Sequence, residues 1–143
     1  MSDEAISLAR WRLESAKARL AEARSLLKSR GYSGAANRAY YAIFTAVRAL
    51  LALKRIDSKT HQAAFLLFQK HYVKTGLFPR ELAEFAKRAK GIREAADYDD
   101  YIEVAADDAR REMNAAAKFI AAVEKLMEAG KDVEREGGKK TKR

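Results

Sequence analysis

The sequence has no cysteine, a single proline and only seven glycines. Without cysteine, the chain can form neither a disulfide framework nor a thiolate metal site. Tight turns and strand ends consume proline and glycine, so their scarcity favours a few long helices. Long apolar runs are also missing, because the central run 39–47 is about half the roughly 18 residues that a membrane span needs. We therefore expect a soluble, cytoplasmic protein without a membrane segment.

Positive charge is concentrated in the middle of the chain. The formal net charge is +9, and residues 31–93 alone carry 12 basic and 3 acidic side chains. Residues 94–136 carry 13 acidic and 6 basic side chains. A basic segment of this kind is a candidate phosphate-facing surface. The alternative is that the acidic segment packs beside it and neutralises it.

Apolar residues recur at helical spacing along most of the chain. Ile6, Leu13, Leu20 and Leu27 repeat every seven residues, which is typical of an amphipathic helix with an apolar seam. Gly31 is expected in the left-handed position that ends this helix. The same reasoning predicts helices over residues 3–30, 33–54, 60–74, 79–90 and 101–131, with an irregular stretch at 92–100.

Short connections between these segments favour antiparallel neighbours. The prediction is therefore an all-α, up-and-down antiparallel bundle of about five helices over residues 1–134. Residues 135–143 are rich in lysine and contain no apolar side chain, so we expect a disordered basic tail.

Motifs for phosphate loops and helical metal sites are absent from the sequence. It has no Gly-rich phosphate loop and no His-Glu-x-x-His pair. The two histidines, His61 and His71, would lie about 15 Å apart along a helix and point in different directions. We therefore predict no metal site and no cofactor.

One face of the second helix combines basic and aromatic side chains: Arg38, Tyr41, Thr45 and Arg48. Tyrosine can stack on a base, and arginine can hold phosphate. A dimer surface is the alternative, because it favours the same residue types. Asn37 is a further candidate contact or a polar cap, and Tyr40 falls on the apolar stripe and is expected in the core.

Four segments resemble the signature of stand-alone bacterial and archaeal HEPN proteins. They are residues 37–44, 59–61, 68–77 and 93–98, and they occur in the order found in that family. The resemblance implies a dimerising helical bundle and a companion minimal nucleotidyltransferase. In such pairs the HEPN member is often a toxin-like ribonuclease. If the companion modifies this chain, Tyr98 and Tyr101 are the expected acceptors.

The ribonuclease branch of that family carries an arginine followed within a few residues by a histidine. Here Arg93 occupies the arginine position, but Asp97 and Tyr98 stand where the histidine would be. RNA cleavage through the 2′-hydroxyl needs a base, an acid and a cation. Arg93 is the candidate cation, with Asp97 or His61 as the proton-transfer group. His61 would have to approach Arg93 through the fold.

These observations leave three hypotheses. The first is a dimeric nucleotide- or RNA-binding module that acts with a minimal nucleotidyltransferase in a toxin–antitoxin-like system, with Asn37, Arg38, Tyr41, Arg48 and Tyr98 as contacts. The second is a metal-independent endoribonuclease toxin. The third is a structural scaffold for a partner protein without nucleic-acid contact, in which Arg93 and Asp97 form only a helix salt bridge.

Overall fold

A computed structural model describes residues 3–98 and 103–140, with side chains in 3–94 and 103–130. Five α-helices and one π-helical turn form within these ranges, and no strand does. The all-α bundle predicted from the sequence is confirmed. Among the described helices, none combines the length and apolar character that crossing a bilayer requires.

Helix α1 (Asp3–Lys28) buries the centre of the stripe that its seven-residue pattern predicts, while Ile6 and Leu27 at its two ends are only half-buried. Its buried residues are Ala5, Ala9, Leu13, Ala16, Leu20 and Ala23. The small alanines allow α1 to lie close along α2 (Tyr32–Leu53). Helix α2 is the centre of the bundle, because it also contacts α3, α4 and α5.

The turn between α1 and α2 differs by one residue from the prediction. Arg30 takes the left-handed conformation, with φ of 65°, while Gly31 has φ of −84°. Gly31 donates its N–H to the Leu26 carbonyl at 2.7 Å. A Cβ at position 31 would come within 3.3 Å of the Leu26 side chain, so the glycine serves close approach rather than positive φ.

Helix α3 (His61–Phe68) begins at a capping threonine, because Thr60 Oγ1 accepts the Ala63 N–H at 3.0 Å. It continues into a π-helical turn (Gln69–Val73), in which the Lys74 N–H reaches the Gln69 carbonyl at 2.9 Å. The buried Tyr72 hydroxyl in this turn donates to the Leu50 carbonyl. This bond fastens the turn to α2.

Helix α4 (Arg80–Tyr98) is longer than expected. The prediction that this helix ends at Gly91 is wrong, because α4 continues through the glycine. The irregular stretch predicted after it is also wrong for residues 92–98, which are helical. A glycine in a helix interior is tolerated at a cost of about 1 kcal/mol. An i,i+4 pair across it, Lys90 Nζ to Glu94 Oε1 at 3.8 Å, partly offsets that cost.

Helix α5 (Ala106–Lys140) starts later than the predicted 101, and Val104 precedes it as a buried residue of the loop. Phe119 of α5 packs on Phe68 and Phe78 at centroid distances of 5.8 and 4.9 Å. The side chains beyond 130 and residues 141–143 lie outside the described part. The domain limit at 134 stays a prediction, but α5 continues past its predicted end at 131 and through residues 135–140, where a disordered tail was expected.

The acidic α5 does neutralise part of the basic segment. Glu112 is almost fully buried, and its Oε1 accepts from Arg88 Nε at 2.8 Å. Lys17 of α1 pairs with Glu124 of α5. These contacts bind α5 to α1 and α4, and they occupy Arg88 rather than the cations discussed next.

Candidate functional site

Side chains from α2, α3 and α4 meet around the buried Tyr40. The Tyr40 hydroxyl lies 2.8 Å from His61 Nδ1, and the Arg93 guanidinium carbon lies 4.7 Å from the Tyr40 ring centroid. The helices thus bring Arg93 and His61 together on one tyrosine. We call the group made by Tyr40, Tyr41, Phe44, Arg48, His61 and Arg93 the Tyr40 cluster.

The aromatic part of the Tyr40 cluster surrounds the imidazole. The Phe44 ring stacks on His61 with centroids 3.8 Å apart and planes at 22°. Tyr41 meets His61 edge-on, at 5.7 Å and 86°. The histidine is held between these rings because it is the first residue of α3, directly after the Thr60 cap. Both Tyr41 and His61 are half-buried, so the cluster has a side open to solvent.

The protonation states in the cluster follow from burial and neighbouring charge. Burial, followed by the charges of Arg93, Arg48 and Lys90, lowers the pKa of His61 below its ordinary value. Burial raises the pKa of Tyr40 despite the nearby Arg93. At neutral pH a neutral imidazole therefore faces a protonated phenol. Since the imidazole is neutral and the phenol keeps its proton, we infer that the phenol donates to His61 Nδ1, leaving Nε2–H for other partners.

Cations approach the cluster from two helices. Arg93 lies over both tyrosines, with its guanidinium carbon 5.8 Å from the Tyr41 centroid. Arg48 lies 6.0 Å from the Phe44 centroid, and Lys90 adds a third positive charge near His61. Cations converging on a neutral histidine and aromatic faces can hold phosphate beside a stacked base.

The residues predicted on α2 separate into two groups. Tyr41 and Arg48 belong to the Tyr40 cluster. Arg38 is engaged with α1 instead, because its Nε pairs with Glu22 Oε2 at 2.9 Å. Asn37 does not cap α2, whose N-cap is Gly31; its Oδ1 accepts from Arg38 at 3.5 Å.

Comparisons with known proteins show the family of the chain. The model of the HEPN domain matches residues 9–126. A UPF0332 protein of Thermotoga maritima is 35% identical over 118 residues, covering 82% of this chain and 89% of that protein. The chain belongs to the HEPN family.

Two further relatives come from Methanocaldococcus jannaschii and carry the word toxin in their names. "Putative toxin MJ0142" is 32% identical over 115 residues, covering 80% of this chain and 78% of that protein. "Putative toxin MJ0605" is 31% identical over 86 residues, or 60% of this chain and 64% of that protein. A toxin-like HEPN module is the coarse description that these similarities support.

The HEPN match includes every member of the Tyr40 cluster. Asp97 and Tyr98 also fall within it, but their side chains lie outside the described residues, as does Tyr101. The predicted Arg93–Asp97 pair and the roles of these three residues stay predictions. Within the described residues, no group of three or more histidine, aspartate or glutamate side chains could hold a metal ion.

Sequence reasoning missed Tyr40 and Phe44 as members of the site. Both lie on the apolar stripe of α2, so helical spacing assigns them to packing. Tyr40 is indeed fully buried, yet its hydroxyl bonds His61 and its ring bears the Arg93 guanidinium. A signal was present in the combination of aromatic residues at 40, 41 and 44 with a histidine at a helix start, because a buried tyrosine hydroxyl needs a partner.

Proposed function

We propose that this HEPN protein binds RNA or a nucleotide at the Tyr40 cluster and acts with a minimal nucleotidyltransferase as the toxin-like member of a toxin–antitoxin pair. The observation that carries the proposal is the convergence of Arg93 and His61 on Tyr40: His61 Nδ1 lies 2.8 Å from its hydroxyl, and the Arg93 guanidinium lies over its ring. Far apart in the sequence, the two residues restore an arginine–histidine combination that the segment 93–98 lacks.

The charges of the cluster favour a phosphate ligand. Burial lowers the pKa of His61 most, and the positive charges of Arg93, Arg48 and Lys90 lower this pKa further. Lys90 is only weakly paired with Glu94, at 3.8 Å. A phosphate at this place would relieve repulsion among the cations, and His61 Nε2–H could donate to one of its oxygens.

The aromatic side chains favour a base next to that phosphate. Tyr41 is half-buried and already bears the Arg93 guanidinium on its ring. Stacking of a base on an aromatic ring contributes about 1–3 kcal/mol and tolerates different sequences. The proposed ligand is therefore single-stranded RNA or a free nucleotide.

Fluorescence titration with a short labelled RNA tests the binding proposal. Affinity should fall as salt rises, because phosphate contacts release counterions. Arg93→Ala should weaken binding and reduce the salt slope by about one. Arg24→Ala removes the same charge from an exposed position on α1 and is the matched control. Absence of binding, or equal loss in both variants, would refute the proposal.

The proposed homodimer and its enzyme partner need separate tests. Light scattering of the purified chain should give twice the monomer mass, and co-expression with the proposed nucleotidyltransferase should yield a stable complex. Tyr98 and Tyr101 are the proposed acceptors if that enzyme modifies this chain. Intact mass after incubation with the enzyme and ATP should then rise by nucleotidyl increments, and Phe replacement at both positions should prevent the rise.

A metal-independent endoribonuclease is a second candidate, favoured by the placement of Arg93 and His61 on the same tyrosine. This candidate needs the other tautomer, in which Nδ1–H donates to the Tyr40 oxygen and His61 Nε2 can take the proton of a 2′-hydroxyl. The 2′-oxygen would bond to phosphorus as the bond to the 5′-oxygen breaks, with Arg93 facing the phosphorane charge. The imidazolium would return the proton to the 5′-oxygen, leaving a 2′,3′-cyclic phosphate.

Cleavage of total RNA in EDTA tests this candidate. The wild type should produce fragments with cyclic phosphate and 5′-hydroxyl ends, and both Arg93→Ala and His61→Gln should prevent cleavage. Fragments that persist with Arg93→Ala would come from a contaminant. Intact RNA in all lanes would leave binding without cleavage as the function to pursue.

A further inference from the structure

A groove runs between α3 with its π-helical turn on one side and α4 on the other. Its volume is about 350 Å³, at the small end of ligand pockets, which span roughly 300–1,000 Å³. Phe68, Ala83 and Ala86 are among its lining residues and are almost fully buried. Leu66 also lines it and is 63% exposed, an unusual position for a large apolar side chain.

The groove is continuous with the Tyr40 cluster. Phe65 lines the groove and also contacts Phe44 and Tyr40, at centroid distances of 5.8 and 6.2 Å. Lys90 lines it as well, and its charge reaches His61. A ligand with one part at the cluster can therefore place a neighbouring part in the groove.

The polar groups of the groove are amides and lysines. The sequence contains only two glutamines, Gln62 and Gln69, and both line the groove. An amide offers donors and an acceptor, which is what the edge of a base requires. Lys87 and Lys90 lie at the same groove and make only weak pairs with Glu84 and Glu94, at 3.5 and 3.8 Å, so a phosphate can compete for them.

The π-helical turn begins at one of these glutamines, Gln69. Such turns are rare and occur frequently at functional sites. This turn is anchored to α2, because the Tyr72 hydroxyl donates to the Leu50 carbonyl. The turn therefore presents Gln69 from a rigid position, as a residue that discriminates between ligands requires.

We propose that this groove binds one nucleobase of an RNA whose phosphate lies at the Tyr40 cluster, and that Gln62 and Gln69 determine which base is accepted. The inference rests on the proposed RNA binding and adds a base subsite to it. The faces of the base contact the apolar walls, its edge hydrogen-bonds to the two amides, and the lysines bind the flanking phosphate.

An abasic scan tests the subsite directly. Octanucleotides of each single base, and versions with one abasic ribose moved along the chain, are titrated against the full-length protein. One abasic position should lower affinity about tenfold, the loss of one stacked base. If RNA binds with the same affinity wherever the abasic ribose lies, the base subsite is overturned while the proposed RNA binding stands. Loss of all RNA binding would refute the proposed function and the subsite together.

Two charge-matched variants locate the subsite. Leu66→Glu puts a carboxylate at the groove, while Leu77→Glu puts one at a position that is 49% exposed and does not line the groove. Leu66→Glu should lower RNA affinity about tenfold more than Leu77→Glu. Equal effects would overturn the assignment. Loss of a protein partner from Leu66→Glu with unchanged RNA affinity would also overturn it and assign the groove to that partner.

Specificity is tested by removing the amides while keeping apolar bulk. The Gln62→Leu/Gln69→Leu variant should narrow the spread of affinities among the four octanucleotides, and circular dichroism should show an unchanged helix content. Asn114→Leu, which removes an exposed amide on α5, should leave the spread as in the wild type. An unchanged spread in the glutamine variant would exclude these residues as determinants.

Discussion

Replacing Tyr40 by phenylalanine removes the hydroxyl that bonds His61 and leaves in the core the ring over which Arg93 lies. Tyr40 is fully buried, and its bond to His61 Nδ1 is 2.8 Å long. Deleting one partner of a buried hydrogen bond leaves the other unsatisfied and costs about 1–3 kcal/mol. We expect Tyr40→Phe to lower the free energy of unfolding in urea by about that amount. RNA affinity should fall as well, because His61 loses the hydrogen bond that anchors it beside Arg93.

Tyr72→Phe provides a matched control for this experiment. Its hydroxyl is also buried and donates to the Leu50 carbonyl, outside the Tyr40 cluster. Both variants should lose similar stability, but only Tyr40→Phe should change the ¹⁵N shifts of the His61 ring. Those shifts should be well separated in the wild type, as one tautomer requires, and closer together in Tyr40→Phe. Unchanged His61 shifts and stability in Tyr40→Phe would refute the reasoning.

Three further predictions concern pH, a buried ion pair and a helical glycine. The pKa of His61 is lowered in the folded state, so the unfolded chain binds the proton first as pH falls below about 6.5. The free energy of unfolding should therefore drop as pH falls below that value. Urea unfolding should show a smaller drop in His61→Gln. Arg88→Ala leaves the buried Glu112 carboxylate without its ion-pair partner. It should lower the free energy of unfolding by about 1–3 kcal/mol, a range discounted because Arg88 is 40% exposed. Arg88→Met/Glu112→Leu should recover much of this stability in the same assay, and a larger loss in the double variant would contradict the account. Gly91→Ala should raise stability by about 0.5–1 kcal/mol, since a Cβ there meets nothing within 4 Å, whereas Gly76→Ala, at φ of +79°, should lower it; thermal unfolding would decide, and a destabilising Gly91→Ala would argue against the continuous α4.

The sequence was sufficient for the bundle because its helices carry their own periodic signals. The stripe through Leu13 and Leu20 indicated the buried face of α1, and both residues are buried. Gly91 led to the wrong prediction of a helix end. A glycine ends a helix only when the chain after it turns away, and the neighbouring residues in the sequence do not reveal whether it does. The same limit applies to Gly31, whose role depends on the distance to Leu26.

The candidate site could be anticipated only in part. Arg93 and His61 were chosen by chemistry and resemblance, but their proximity depends on how α3 and α4 pack on α2. Helical spacing put Arg38 and Arg48 on one face, yet a carboxylate on α1, Glu22, engages Arg38. Tyr40 is the opposite case. Its spacing assigns it to the core, where it lies, but its hydroxyl also bonds His61 and helps to organise the site.

The most direct test of the central claim is a double-mutant cycle on RNA affinity with Arg93→Ala, His61→Ala and the double variant. Residues that act as one unit show coupling of about 0.5–3 kcal/mol, whereas independent residues add within about 0.5 kcal/mol. The Tyr40 cluster predicts that the double variant binds RNA little more weakly than either single variant. Additive losses, or affinities unaffected by both substitutions, would contradict a shared site on Tyr40.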